Sequence, residues 1–183
     1  MQHTNFPGTK EQVSAIGLGT WVFGAENWGG AQEAESIAAV EEAVNLGVNF
    51  IDTAPFYGDG LAEQVIGKAI QKMRDRVFIA TKCGLVRRIK VPMIDLSPGS
   101  IMNEFDLSLK RLEDGGAGVA YAVLSDGEVA ECCLRMIATG LFDRYPNLQI
   151  VIRSSGGGIP LLLHRLFWKH KGPKGERRYS EIF

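Results

Sequence analysis

A chain of 183 residues, 45% of them hydrophobic and 22% charged, suits one compact domain with a real core and is too short for two full ones. Its net charge of −1 gives no long-range field to attract nucleic acid or an anionic membrane, and the locally basic stretch Lys169 to Arg178 reads as a solvated tail. The three cysteines, Cys83, Cys132 and Cys133, have no framework spacing, no leader pattern is visible, and no apolar run nears the roughly 20 residues that cross a bilayer, so a soluble cytoplasmic protein with reduced thiols is expected.

The first element is a small hairpin across residues 5 to 15, signalled by Pro7-Gly8 between short extended segments. Ile16 to Gly24 is an apolar run punctuated by Gly17, Gly19 and Gly24, where a missing side chain lets another backbone or a ligand approach closely; it predicts a first buried strand ending near Thr20. Residues 32 to 46 place Ile37, Val40 and Val44 at helical spacing, and Gly47 stops that helix as a left-handed cap. Val48 to Ile51 follows without alternation, as expected of a parallel strand buried on both faces. A helix over 61 to 73 carries Ala62, Val65, Ile66, Ala69, Ile70 and Met73 on one side, and Val77 to Thr81 is again continuously apolar.

Ser97-Pro98 is a helix start, because proline at the first helical position loses no needed hydrogen bond, and Ile101, Phe105, Leu109 and Leu112 continue that helix. Glu113-Asp-Gly-Gly-Ala-Gly118 breaks the rhythm and marks a junction or a loop. Beyond it the sequence predicts a strand at Val119 to Leu124, a capping box at Ser125 and Glu128 opening a helix that reaches Ile137, a turn at Tyr145-Pro146-Asn147, a strand at Leu148 to Ile152, and a last helix after Gly156-Gly-Gly158. Strand and helix alternation with short connections argues for parallel crossovers.

In such a fold functional groups collect where strands end at their carboxyl side. Asp52 and Lys82 both stand at such ends, and Tyr57 lies in the loop after the first of them. An ammonium beside a phenol stabilises the phenolate left by proton donation, so Tyr57 is a candidate acid for a carbonyl oxygen becoming an alkoxide. Taken singly, each of these residues is more often a cap, a rim residue or a salt-bridge partner; the combination and its spacing carry the signal.

Ile16-Gly-Leu-Gly-Thr-Trp21, Asn49-Phe-Ile-Asp-Thr-Ala54 with Tyr57-Gly58 and Glu63, Ile79-Ala-Thr-Lys82, and Ser108-Leu-Lys-Arg-Leu112 together make residues from about 7 to 112 resemble the N-terminal part of an aldo-keto reductase. The resemblance implies a (βα)8-barrel ancestry and reduction of an aldehyde or ketone by NADPH or NADH. It also implies Tyr57 as proton donor, tuned by Lys82 and Asp52, with Gly19, Thr20, Trp21 and Asp52 near the nicotinamide and the small carbonyl substrate. The family's catalytic histidine closes the next strand, and Val119 to Asp126 contains no histidine, so the catalytic tetrad is incomplete.

Residues from about 124 to 183 resemble a different family. Ala138-Thr-Gly-Leu-Phe-Asp-Arg-Tyr-Pro-Asn-Leu-Gln-Ile-Val-Ile152, then Gly156-Gly-Gly-Ile-Pro160 and Leu163 to Leu166, are similar to a late segment of the amidohydrolase-related metal-dependent hydrolases and decarboxylases. Those enzymes carry a histidine where Ser154 stands, and His3, His164 and His170 are not clustered, so no metal site is expected.

The expected architecture is therefore α/β: a partial (βα)8 TIM-type barrel of about five parallel strands with flanking helices. Residues 1–112 form reductase-like units, 113–123 a Gly-rich junction and 124–183 an amidohydrolase-like segment, within one compact domain, and exposed sheet edges favour a homo-oligomer. The expected function is carbonyl reduction at an aldo-keto-reductase-type site, weak or lost in this chain. The alternatives are a catalytically inactive βα scaffold or interaction protein and, ranked last, a metal-dependent amidohydrolase or decarboxylase.

Overall fold

A computed structural model describes residues 1–6, 11–24, 32–88, 91–112, 119–123, 135–137, 139–145 and 148–151. The elements are strands β1 (His3–Asn5), β2 (Gln12–Ser14) and β3 (Leu18–Gly19), a 3-10 turn (Trp21–Gly24), helix α1 (Glu33–Asn45), strand β4 (Phe50–Asp52), helix α2 (Leu61–Ile70), a 3-10 turn (Arg74–Arg76), strands β5 (Phe78–Cys83), β6 (Leu85–Arg88) and β7 (Val91–Ile94), helix α3 (Pro98–Arg111), strand β8 (Val119–Val123), a short helix α4 (Leu141–Arg144) and strand β9 (Gln149–Val151). Strands β3, β4, β5, β8 and β9 form one five-stranded sheet in that order, every pairing parallel, as the partial-barrel reading expected.

Local sequence accounts for several element ends. Gly47 follows α1 at φ 93°, a left-handed conformation open to glycine, and its N–H returns to the Val44 carbonyl. Pro98 opens α3, and the Ser97 hydroxyl accepts from the Ser100 N–H at 3.4 Å. The strands of the expected hairpin appear as the antiparallel β1–β2 pair, beginning at His3 with Thr4 opposite Val13, while the Pro7-Gly8 turn lies outside the described residues.

Two strands differ from expectation. The first was expected to be buried, yet Leu18 is half-buried and Gly19 exposed, because β3 is a two-residue strand with one described neighbour, β4. The second begins at Phe50 rather than Val48, and only its central residue, Ile51, is fully buried. A third difference is the antiparallel pairing of β6 with β7, which no sequence pattern predicts. The expected strand over Val119 to Leu124 and that over Leu148 to Ile152 appear as β8 and β9. Of the helix expected to reach Ile137, residues 135–137 are helical; its start, the capping box at Ser125 and Glu128, and the helix after the triple glycine lie outside the described residues.

The sheet separates two environments. Ile51 and Ile79, opposite each other in register, face α1 and α2 in a cluster with Val40, Val44, Val65, Ile66, Ile70 and Leu112. Burying each large aliphatic side chain of this kind contributes about 1.5–3 kcal/mol. Successive strand residues point to opposite faces, so Phe50 and Phe78 emerge on the other side, where Phe6 and Val13 of the N-terminal hairpin region pack on them. The hairpin thus covers the amino end of the inner face, and the carboxyl end is left to Asp52 and Lys82. A further cluster of Cys83, Ile101, Phe105, Met136, Leu141 and Leu148 packs the later segment against α3. Among the described residues, no helix is long and apolar enough to cross a membrane.

Candidate active site

Parallel register sets the distance between Asp52 and Lys82. Asp52 pairs with Ala80 across β4 and β5, so Lys82 stands two residues further along the neighbouring strand and on the same face. Its side chain reaches back diagonally, placing Nζ 2.8 Å from Asp52 Oδ1 and 2.7 Å from the Thr53 carbonyl oxygen, to both of which it donates. The Lys82 side chain is 12% exposed and that of Asp52 42%, so the pair opens to solvent on the carboxylate side.

Tyr57 enters from the loop after β4. A turn closed by the Tyr57 N–H donating to the Ala54 carbonyl folds the chain back, and the Lys82 ammonium lies 4.9 Å from the centre of the Tyr57 ring. Trp21 stacks on that ring, at 5.5 Å between centroids with the planes 3° apart. Trp21 is held in place from β4: the Thr20 N–H and Oγ1 both donate to the Asp52 carbonyl oxygen, at 3.1 and 2.9 Å. Gly24 and Gly58 pack so closely that a Cβ on Gly58 would lie 2.5 Å from the Gly24 carbonyl oxygen.

The structure therefore brings Asp52, Tyr57, Lys82, Thr20 and Trp21 to one place. Gly19 lies beside them in register with Asp52, and a side chain there would meet open space. Thr20 is fully buried with its hydroxyl committed to the Asp52 carbonyl, whereas Trp21 is 55% exposed. Among the described residues here, the Asp52 carboxylate, the Trp21 indole and the Tyr57 side chain are accessible to solvent.

The sequence reading named no residue behind Lys82 as part of the site. Thr81, its neighbour in β5, points to the helices, where its hydroxyl donates to Glu63 Oε1 at 2.6 Å. Glu63 is fully buried in α2, and its other oxygen accepts from Arg111 Nε of α3 at 2.6 Å. One buried carboxylate thereby ties β5, α2 and α3 together beneath Lys82. Glu104 of α3 does comparable work at the end of β5: both its oxygens accept from the Gly84 N–H at 3.2 Å. Burial pushes the Glu104 carboxyl up to about 7, against the lowering effects of that N–H and of the Ser100 hydroxyl. Among the described residues, no group of three or more His, Cys, Asp or Glu side chains is arranged to hold a metal ion.

Residues 15–121 match the family model described as "Aldo/keto reductase family". The chain belongs to the aldo/keto reductase family. Over 115 residues, 62% of this chain and 35% of the relative, it is 40% identical to the aldo-keto reductase YhdN of Bacillus subtilis. It is 38% identical over 113 residues to the NADH-specific methylglyoxal reductase of Escherichia coli, covering 55% of this chain and 35% of that protein. The chain thus spans about a third of the length of these curated relatives. Among solved structures, an aldo-keto reductase from Klebsiella pneumoniae in complex with NADPH superposes with a TM-score of 0.61 at 29% identity, over 78% of this chain and 46% of that one. The holo form of one from Bacillus halodurans gives a TM-score of 0.69 at 24% identity over 84% of this chain and 51% of that one, a likeness of fold. The parallel sheet of this chain is accordingly part of a TIM-type barrel.

Proposed function

We propose that the site at Asp52, Tyr57 and Lys82 reduces a small aldehyde or ketone with NADPH or NADH as hydride source. The observation that carries this reading is the Lys82 ammonium, paired at 2.8 Å with Asp52 and 4.9 Å from the centre of the Tyr57 ring. The described residues fit the nicotinamide end of such a cofactor: open space above Gly19, the exposed Trp21 indole and the solvent-facing carboxylate of Asp52 offer an apolar surface and an acceptor side by side. Bound there, the cofactor supplies a hydride to the carbonyl carbon.

The chain's own residues handle the proton. The Tyr57 hydroxyl donates it to the carbonyl oxygen, and the Lys82 ammonium stabilises the phenolate left behind. Asp52 and the Thr53 carbonyl hold Lys82 in position for that role. Thr20, fixed to the Asp52 carbonyl, sets Trp21 against the Tyr57 ring and screens that side of the phenol from water.

A second reading, a βα scaffold with an inactive site, is favoured by one observation: no histidine stands between Val119 and Asp126 to share the work of Tyr57. The division into reductase-like residues 1–112, a junction at 113–123 and an amidohydrolase-like segment at 124–183 rests on sequence motifs, and the triple glycine of that last segment lies outside the described residues. Titration with NADPH, followed by its fluorescence, separates reductase from scaffold. Saturable binding below millimolar cofactor supports the reductase; its absence leaves the scaffold.

A further inference from the structure

We propose that Arg87 is a positioning residue for Tyr57, clamping the loop on both sides of it. Arg87 belongs to the β6–β7 pair, a separate stretch of chain from the Tyr57 loop. Its guanidinium carbon lies 4.6 Å from the centre of the Phe56 ring, and its Nε lies 2.8 Å from Asp59 Oδ1. Phe56 immediately precedes Tyr57 and Asp59 follows it by two residues, so one side chain grips the loop before and after the phenol.

The loop needs such a hold. Asp59 has φ 52°, the only positive φ of a non-glycine residue among those described, a left-handed conformation that Asp and Asn adopt more readily than other side chains but less readily than glycine. Beneath the loop, between it, β6 and α3, lies a cleft of about 400 Å³ lined by Phe56, Asp59, Leu85, Arg87, Asn103 and Glu104. Packing therefore leaves space on the side where Arg87 reaches across. On the opposite side the loop rests on Trp21 and Gly24.

The clamp and the lysine share one root. Gly84, at φ 92°, turns β5 into β6, and Glu104 holds its N–H from both oxygens. Lys82 stands two residues before that turn and Arg87 three after it, so the ammonium and the guanidinium that flank Tyr57 are fixed by the same joint. Loss of Arg87 releases the loop and uncouples the phenol from Lys82 and Trp21.

The inference rests on the reductase reading only for its kinetic arm, and the closing experiment keeps the two apart. In the 183-residue chain carrying Trp28→Phe and Trp168→Phe, Trp21 is the sole indole and reports on the ring stacked against it. Arg87→Ala is expected to red-shift Trp21 emission and raise its quenching by acrylamide. Arg87→Lys, which keeps the ion pair with Asp59, is expected to restore most of the parent signal. With NADPH and a small aldehyde, Arg87→Ala is expected to lower kcat by about tenfold or more with KM for the cofactor unchanged, as loss of alignment does. Should Arg87→Ala fail to fold by circular dichroism, Asp59→Asn removes the charge while tolerating the positive φ, and carries the same expectation. Folded variants with parental Trp21 emission and quenching overturn the clamp. Absence of turnover in the parent protein counts against the reductase reading, and the fluorescence still decides the clamp.

Discussion

Glu63 Oε1 accepts a 2.6 Å hydrogen bond from the hydroxyl of Thr81, the residue before Lys82, although 18 residues of chain separate the two. Its second oxygen accepts from Arg111, so removing the carboxylate leaves a largely buried guanidinium without its charge partner. Truncating one member of a buried pair typically costs about 3–5 kcal/mol. Glu63→Ala is therefore expected to lose stability on that scale in urea unfolding. Glu63→Gln retains an acceptor for one neighbour and is expected to lose less.

Glu104 gives the fold a pH dependence of definite sign. Its carboxyl is raised by burial to about 7 from an ordinary value of 4.5, so the folded chain binds a proton that the unfolded chain has released. The resulting stabilisation is fully present below about pH 4.5, declines as pH rises, and is gone above about pH 7, a span worth at most about 3 kcal/mol. Glu104→Gln keeps a side-chain oxygen for the Gly84 N–H and removes the titration. Chemical unfolding at several pH values is expected to show a flatter profile for this variant between pH 4.5 and 7, and higher stability than the parent at pH 8.

Gly58 is set by two demands at once, a φ of 61° and close contact with Gly24. Gly58→Ala adds a Cβ that meets Gly24 backbone as well as an unfavourable left-handed conformation, which alone costs about 1 kcal/mol. The loop must shift, and Tyr57 with it. The variant is expected to unfold at lower temperature by calorimetry and to show a changed Trp21 environment in near-ultraviolet circular dichroism.

Much of this was legible because the relevant signals are local. Ile51 and Ile79 sit in apolar runs that end in Asp52 and Lys82, and parallel pairing alone then brings these charged residues to the same end of the sheet. Gly47 and Pro98 announced helix ends through their own backbone chemistry. The β6–β7 pair is not legible because Pro92 and the cations Arg87, Arg88 and Lys90 interrupt any apolar alternation, and Met93 and Ile94, about half exposed, carry no burial pattern. Arg87 is concealed with it. Glu63 offered a faint signal, a carboxylate among Ala62, Val65 and Ile66 in α2, but Arg111 lies 48 residues away and local spacing cannot name such a partner. The composition of the first strand predicts burial, whereas its exposure follows from having β4 as its one described neighbour, a fact of topology.

Lys82 links the folded framework to the chemistry, because its ammonium touches Asp52, Thr53 and the face of Tyr57. Lys82→Met removes the charge while keeping the apolar stem. It is expected to reduce carbonyl turnover by about 10²-fold or more, on the scale of general acid catalysis, without abolishing cofactor binding. Steady-state rates paired with NADPH fluorescence titration check both halves of that statement.

The central claim is that the Tyr57 hydroxyl protonates the carbonyl oxygen, and Tyr57→Phe tests it most directly because it removes one oxygen and keeps the ring that stacks on Trp21. The measurement is NADPH oxidation in the presence of a small aldehyde, with cofactor affinity determined on the same samples. The account predicts turnover in the parent, a fall of about 10²-fold or more in Tyr57→Phe, and nearly equal affinity for NADPH. Equal turnover in the two proteins would contradict it.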